Sequence, residues 1–305
     1  MTAIKVGIKV GLKGDYKLRI LRADRSVRYE SDWIPNLITN LGMDRIGQQV
    51  GAVGNFCRIG TGTTAPAFTD TALVSQSAST NNVIGQSTTN AGSPNYETQT
   101  TSTYEFALGA VVGNMAELGL GWTASSASTL FSRSRILDGG GSPTTITVLS
   151  SEILQVTYRL TAYPQLTDST GTVDISGTTY NYTARWFSIA TTIAIGLHTS
   201  GQYMGNPSQA TAYTGALGAI TAGGPSGSAA SMSVGSMLSY VNGTFYRDYT
   251  ITASISQGNL AGGIKSIAII VNGSFSRNQI EFSPNIPKTS TNVLTLTLRQ
   301  AWARH

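Results

Sequence analysis

Charge is what this sequence lacks most. Asp, Glu, Lys and Arg make up 11% of its 305 residues, against roughly 25% in an average soluble domain. Gly, Ser, Thr and Asn fill the deficit, not apolar residues, and mean hydropathy is +0.00. Charged disordered tails, coiled coils and long-helix bundles all need Glu and Lys in bulk, so those classes are excluded. Cysteine occurs once, at Cys57, which excludes an intrachain disulfide and a Cys-based metal cluster. No apolar run approaches about 18 residues, so no transmembrane helix and no membrane insertion are expected. The Lys-punctuated N-terminus has no continuous apolar block, so no signal peptide is expected either.

The charge that exists is unevenly placed. The net charge is +5, and residues 1–28 carry eight basic side chains against Asp15 and Asp24. Between Arg58 and Arg133 there is no Lys or Arg, and between Arg185 and Arg247 there is no charge of either sign. Soluble monomers usually carry mixed charge over the whole surface. The gaps therefore point to surfaces covered by neighbouring subunits, or to neutral Ser/Thr/Asn loops.

Period-2 alternation dominates the pattern. Ile4, Val6, Ile8, Val10 and Leu12 alternate with Lys5, Gly7, Lys9, Gly11 and Lys13, which predicts a strand with one apolar and one basic face. Gly14-Asp15 reads as a turn, and Tyr16, Leu18 and Ile20 as the return strand of a hairpin. Residues 36–50 predict the one helix, with Asn40 as N-cap and Gly51 as its end. Further strands are predicted around Phe56–Ile59, Tyr104–Leu108, Leu118–Leu120, Leu130–Ile136 and Leu154–Leu160. Residues 75–103 and 205–236 are Ser/Thr/Gly-rich and predict surface excursions or clamps.

The second half repeats the order of the first. Val293–Arg299 matches Ile153–Arg159, Phe275-Ser276-Arg277 matches Phe131-Ser132-Arg133, Ile267–Ile269 matches Leu118–Leu120, and Tyr249–Ile251 stands where Tyr104–Phe106 stands. Asn242-Gly243 and Asn272-Gly273 each carry hairpin-turn chemistry. The expected fold is all-β: two β-sandwich-like domains, read as an internal duplication, with one short helix near residues 40–50. The expected division is a basic N-terminal β-hairpin arm at 1–33, a first sandwich at 34–165 and a second at 166–305.

Catalytic motifs are sparse. Gly60-Thr61-Gly62 lacks the Gly-Lys-Ser/Thr of a phosphate loop and the helix-opening glycine of a dinucleotide loop. His198 is the one candidate general base. The paired acids Asp168/Asp174 and Glu105/Glu117 are candidates for glycoside cleavage, but nothing in their setting marks a tuned pair. No catalytic, cofactor-binding or metal residue is assigned, and no enzyme activity is expected. Lys5, Lys9, Lys13, Lys17 and Arg19 are the candidate interface, expected to dock a partner protein. A nucleic-acid site there is the lesser reading, because stacking aromatics are few.

Several segments, in this order, resemble structural proteins of tailed-bacteriophage virions. They are Asn36-Leu37-Ile38-Thr39-Asn40-Leu41-Gly42, Gly60-Thr61-Gly62-Thr63-Thr64-Ala65-Pro66 through Asp70-Thr71-Ala72-Leu73, Glu117-Leu118-Gly119-Leu120, Leu130-Phe131-Ser132-Arg133 and Leu154-Gln155-Val156-Thr157-Tyr158. The resemblance covers about residues 36–160. The second half keeps Phe-Ser-Arg and the last strand but not the helix or the Gly-Thr-Gly loop. The resemblance implies a non-enzymatic, β-rich virion component of the tail, fibre, baseplate or neck, assembled in the bacterial host cytoplasm. Its partners would be further copies of itself and other virion proteins. A capsid decoration protein and a host-glycan-binding receptor protein are the alternatives.

Overall fold

A computed structural model describes residues 4–48, 50–93, 96–124, 128–189, 207–271 and 277–305. The first half runs β1 (Ile4–Arg22), β2 (Val27–Glu30), β3 (Ile34–Pro35), β4 (Leu37–Ile38), α1 (Asn40–Gln48), β5 (Phe56–Gly60), β6 (Gln76–Thr80), β7 (Val83–Asn90), β8 (Thr98–Phe106), β9 (Gly113–Met115), β10 (Glu117–Gly121), β11 (Leu130–Arg135), β12 (Ile146–Val148) and β13 (Glu152–Pro164). The second half runs β14 (Ser169–Ile175), β15 (Thr178–Trp186), β16 (Pro207–Tyr213), β17 (Ala229–Met237), β18 (Tyr246–Ala253), β19 (Ile264–Val271), β20 (Arg277–Ile286) and β21 (Leu294–Arg304). Among the described residues the chain is all-β with a single short helix, as its alternation predicts.

In the first half, β4-β11-β10-β5-β6 forms one layer and β7-β8-β13-β1 the other. Tyr16 of β1 shares a 2.9 Å hydrogen bond with Ser132 of β11, and Phe131 packs edge-on against Tyr158, so the two layers meet through aromatic side chains. In the second half the order is β20-β19-β16-β17, then β17-β18-β21-β1. Here β17 is one strand that pairs β16 with its first part and β18 with its second. In the first half the same path is split between β6, which pairs β5, and β7, which pairs β8. The two halves therefore share one hydrogen-bonding order.

Register refines the repeat. Leu118 and Ile267 are equivalent, each pairing Ile59 or Ala212 on the neighbouring strand. One residue on, Gly119 faces Arg133 and Ala268 faces Gln279. Gln279, not Arg277, thus stands at the Arg133 position. The Phe-Ser-Arg match is out of register by two residues, and Phe275 and Ser276 lie outside the described residues. Tyr104 likewise corresponds to Ile251: each lies opposite the matched residue Val156 or Leu296.

The hairpin expected to turn at Gly14-Asp15 is not formed; within residues 1–33 the antiparallel pair is β1 with β2. β1 is one strand whose register to β13 runs unbroken from Val10↔Pro164 to Arg22↔Glu152. Gly14-Asp15 sits inside it, facing Leu160 and Arg159. The buried side chains Val10, Leu12, Tyr16, Leu18 and Ile20 keep one parity across the glycine, which a tight turn would not require. The real turn is at residues 23–26, where Arg25 adopts φ 67° and Ser26 N–H donates to Asp24 at 2.9 Å. β1 is no arm but the seam between the halves: it pairs β13 antiparallel on one edge and β21 parallel on the other. β13 and β21 hence run opposite ways, so the halves are related by a local two-fold normal to the shared sheet.

Three smaller expectations also change. The helix begins at Asn40, and its cap is Thr39, whose Oγ1 accepts Gly42 N–H at 3.0 Å. Leu37 and Ile38 pair β11 instead of extending the helix. Residues 75–103 and 205–236 contain strands built of Ser, Thr and Ala, including β6, β7, β16 and β17. These strands carry little apolar alternation because hydroxyls line them, with Ser87···Thr101 at 2.7 Å. Asn242-Gly243 does turn, with Gly243 at φ 82°, but inside the longer β17–β18 connection at 238–245. Asn272-Gly273 and His198 lie outside the described residues.

A side chain at position 14 would collide with the Tyr158 hydroxyl and the Asn36 amide. Gly14→Ala should therefore destabilise the chain by about 1–3 kcal/mol, measured by urea unfolding. A neutral effect would contradict the unbroken strand.

Candidate interaction surface

The strands flanking the seam bury an apolar face and carry a polar one on the other side, where Asp15, Gln155 and Thr161 are themselves buried. On β1 the outward row contains Lys9, Lys13, Asp15, Lys17 and Arg19. Opposite them on β13 stand Gln155, Thr157, Arg159, Thr161 and Tyr163. The row continues through Thr101 and Thr103 on β8 and through Thr295, Thr297 and Arg299 on β21. The result is a face of hydroxyls and ion pairs.

The candidate cations are only partly free on this face. Lys13 lies 3.5 Å from Asp15, which Arg159 also contacts at 3.1 Å. Lys17 and Arg19 both reach Glu30 of β2, Arg19 at 2.8 Å. The hydrogen bond from Lys17 holds the Glu30 carboxyl below the usual range. Lys9 is exposed, and among the described residues no ion pair engages it. The Lys5 side chain lies outside the described residues. The apolar face that had to be covered is covered from within: Val10 and Leu12 are buried in the chain's own core.

Two arginines repeat across the seam. Arg159 pairs with Asp15 and lies 4.0 Å over Trp33. Its equivalent Arg299 pairs with Asp248 at 2.8 Å and lies 3.5 Å over Tyr246. Each guanidinium thus combines an ion pair with a cation–π contact. Tyr163 stacks on His305 at 3.8 Å.

The motif residues gather elsewhere, in the opposite layer. Glu117 and Arg133 are 0% and 1% exposed and joined at 2.9 Å. Glu117 accepts hydrogen bonds from the Gly62, Val74 and Ser75 N–H groups. Arg133 donates to Asp70 and to the Thr64 and Ala65 carbonyls. The Gly-Thr-Gly segment is thus no ligand loop but the start of a loop at 61–75 clamped onto the sheet. The Thr39 N–H donates to the Phe131 carbonyl, and Asn40 N–H to that of Phe68, which ties the helix start to the same cluster.

The second half holds the matching loop that its sequence conceals. Thr61 N–H donates to Ser75 O at 2.9 Å, and Thr214 N–H to Ser228 O at 3.1 Å. Gln279 reaches the Gly218 carbonyl at 2.8 Å, as Arg133 reaches Ala65. Ser266 donates to the Gly215 carbonyl from the position of Glu117. Ser266 and Gln279 stand where the buried ion pair of the first half stands, and the partly exposed Arg185 and Glu281 also hold this loop, at the Gly218 carbonyl and the Leu217 N–H. The signal left in sequence is Thr214-Gly215 after a strand, matching Thr61-Gly62.

No family model, curated protein or solved structure matches the chain. The acid pairs are taken up by local structure: Asp168 pairs with Arg185, and Asp174 accepts the Gly177 N–H. Glu105 sits on the hydroxyl-lined face with Arg25 and Gln155, in a different layer from Glu117. Among the described residues no group of three His, Cys, Asp or Glu is placed to hold a metal ion, and no helix is long and apolar enough to cross a membrane.

Arg133→Met should cost about 3–5 kcal/mol in urea unfolding, because Glu117 is left buried without its counter-charge. Adding Glu117→Gln should recover part of that loss, since the pair acts as a unit.

Stability should also fall in acid. Burial alone would raise the Glu105 carboxyl, but hydrogen bonds from Arg25 and Gln155 outweigh it and hold it below 4.5. Glu152 is depressed in the same way by Arg28 and the Leu149 N–H. Depressed carboxylates add stability above the unfolded value, and that contribution is lost as pH falls through the folded values. The urea midpoint should be flat between about pH 7 and 5 and decline below about 4.5. Glu105→Gln should flatten part of that decline.

Proposed function

We propose that this chain is a non-enzymatic structural component of a tailed-phage virion, in the tail, the tail fibre or baseplate, or the neck. It assembles as a homo-oligomer and docks onto neighbouring virion proteins. One observation carries the reading. Four of the five segments that resemble virion proteins, scattered over residues 36–133, meet in one cluster around Glu117 and Arg133, and the fifth, on β13, packs Tyr158 against Phe131 from the facing layer. Four of these segments serve one loop-clamping device, which supports reading them as a set rather than as isolated short strings.

The composition fits the same role. A chain with few charges, two related halves and hydroxyl-lined strands suits packing among fixed neighbours, where charge desolvation is costly. A host-glycan receptor, the alternative from another class, stacks sugars on free aromatic faces. Here Trp33, Tyr246 and Tyr163 are already engaged by Arg159, Arg299 and His305. Capsid decoration differs only in where the chain sits.

Antibody labelling of purified particles tests the proposal. Labelling of the tail or neck is the expected result. Labelling of the capsid lattice selects decoration, and particles free of the chain reject a virion role.

A further inference from the structure

Strands at the end of a sheet present N–H and C=O groups with no strand beside them, and proteins usually blunt such edges with charge, bulges or short length. Most edges here are blunted. β14 carries Asp174, β2 carries Arg28 and Glu30, and β4 has two residues. The part of β17 beside β18 is broken by a register shift between Val234 and Met237. β7 differs. Beyond a bulge at Ile84 its residues 85–90 pair regularly with β8 and are exposed throughout, with the composition Gly-Gln-Ser-Thr-Thr-Asn and no charge or proline.

We infer that the outer edge of β7 is the self-association edge of this protein, pairing antiparallel with β7 of a second copy. This rests on the reading of the chain as a self-assembling structural protein, and it names the surface involved. The phase of the edge is fixed by Ala91, whose N–H donates to Glu97 O at 2.8 Å. Hydrogen-bonded pairs recur every two residues in an antiparallel ladder. Thr89, Ser87 and Gly85 therefore exchange their bonds with Gln99, Thr101 and Thr103 of β8. Gln86, Thr88 and Asn90 turn their N–H and C=O groups outward.

Charge and sequence favour a second copy as the occupant. Two chains of net charge +5 repel at most contacts, but residues 75–103 hold no Lys or Arg and a single acid, Glu97. Pairing about Thr88 sets Gln86 against Asn90, and Ser87 against Thr89, of the second copy. Every cross-strand pair is then polar and uncharged, and the edge is its own complement, as an isologous two-fold contact requires. The sheet holding the seam would run on from one molecule into the next.

Sedimentation velocity on the purified full chain over a concentration series tests this. Thr88→Pro removes an outward N–H and leaves the β7–β8 ladder intact. Ser87→Lys with Thr89→Lys leaves the backbone intact and brings four lysines together at the two-fold. The wild type should form a dimer or a larger species, and both variants should weaken association about tenfold or more, with far-UV circular dichroism unchanged. If the proline variant does not fold, the double-lysine variant decides. A wild type that stays monomeric at its highest soluble concentration overturns the inference, as does association that both variants retain. A chain that self-associates through β7 yet is absent from virions rejects the functional proposal alone.

Discussion

Glu117 and Arg133 form an ion pair removed from water, and the first half is arranged so that neither charge is left short of partners. Such a pair gains little against an apolar core unless the remaining donors and acceptors are filled. Filling them needs the backbone of residues 61–75, because Glu117 takes N–H groups from both ends of that loop and Arg133 takes carbonyls from its middle. The loop then places Phe68 where its carbonyl receives Asn40 and its ring lies 4.2 Å from Arg304 of the last strand. One buried pair therefore fixes a loop, the start of the only helix among the described residues and a contact to the far end of the chain.

The second half reaches the same geometry without buried charge. Ser266 and Gln279 replace Glu117 and Arg133, and the loop at 214–228 keeps its closing Thr214–Ser228 bond. Ser266 donates to a carbonyl where Glu117 accepts N–H groups, and the charged groups that assist, Arg185 and Glu281, stay partly exposed, so the desolvation cost is lower. That substitution is consistent with the uncharged stretch between Arg185 and Arg247. Scarcity of charge in this sequence thus has a structural counterpart: where charges occur they are mostly paired in networks, and where networks are neutral the surface is left to hydroxyls and amides.

Strand parity was legible from the residues alone. It gave the all-β class, the apolar face of β1 and the position of the last strand of each half. It failed where a local signal competed with a distant one. Gly14-Asp15 reads as a turn because glycine and aspartate favour turns, yet glycine is needed there to make room for Tyr158 and Asn36. Asn40 reads as a cap, but Thr39 can also donate to the Leu130 carbonyl, and that contact decides between them. The hydroxyl-rich strands were unreadable because their cross-strand partners are other hydroxyls and amides, which leave no apolar alternation in the sequence. The Gln279 position was hidden because a chance Phe-Ser-Arg triplet lies two residues away.

The seam sets a timetable for the nascent chain. One edge of β1 can close as soon as β13 is made, but the other waits for β21, with Ile8 opposite Gln300 and Leu12 opposite Arg304. At ribosomal rates of about 5–20 residues per second, the interval between finishing β13 and finishing β21 is about 7–28 s. Through that time the N-terminal half has a complete loop clamp but an open sheet border along β1. β21 therefore joins the two halves and closes the open border of β1.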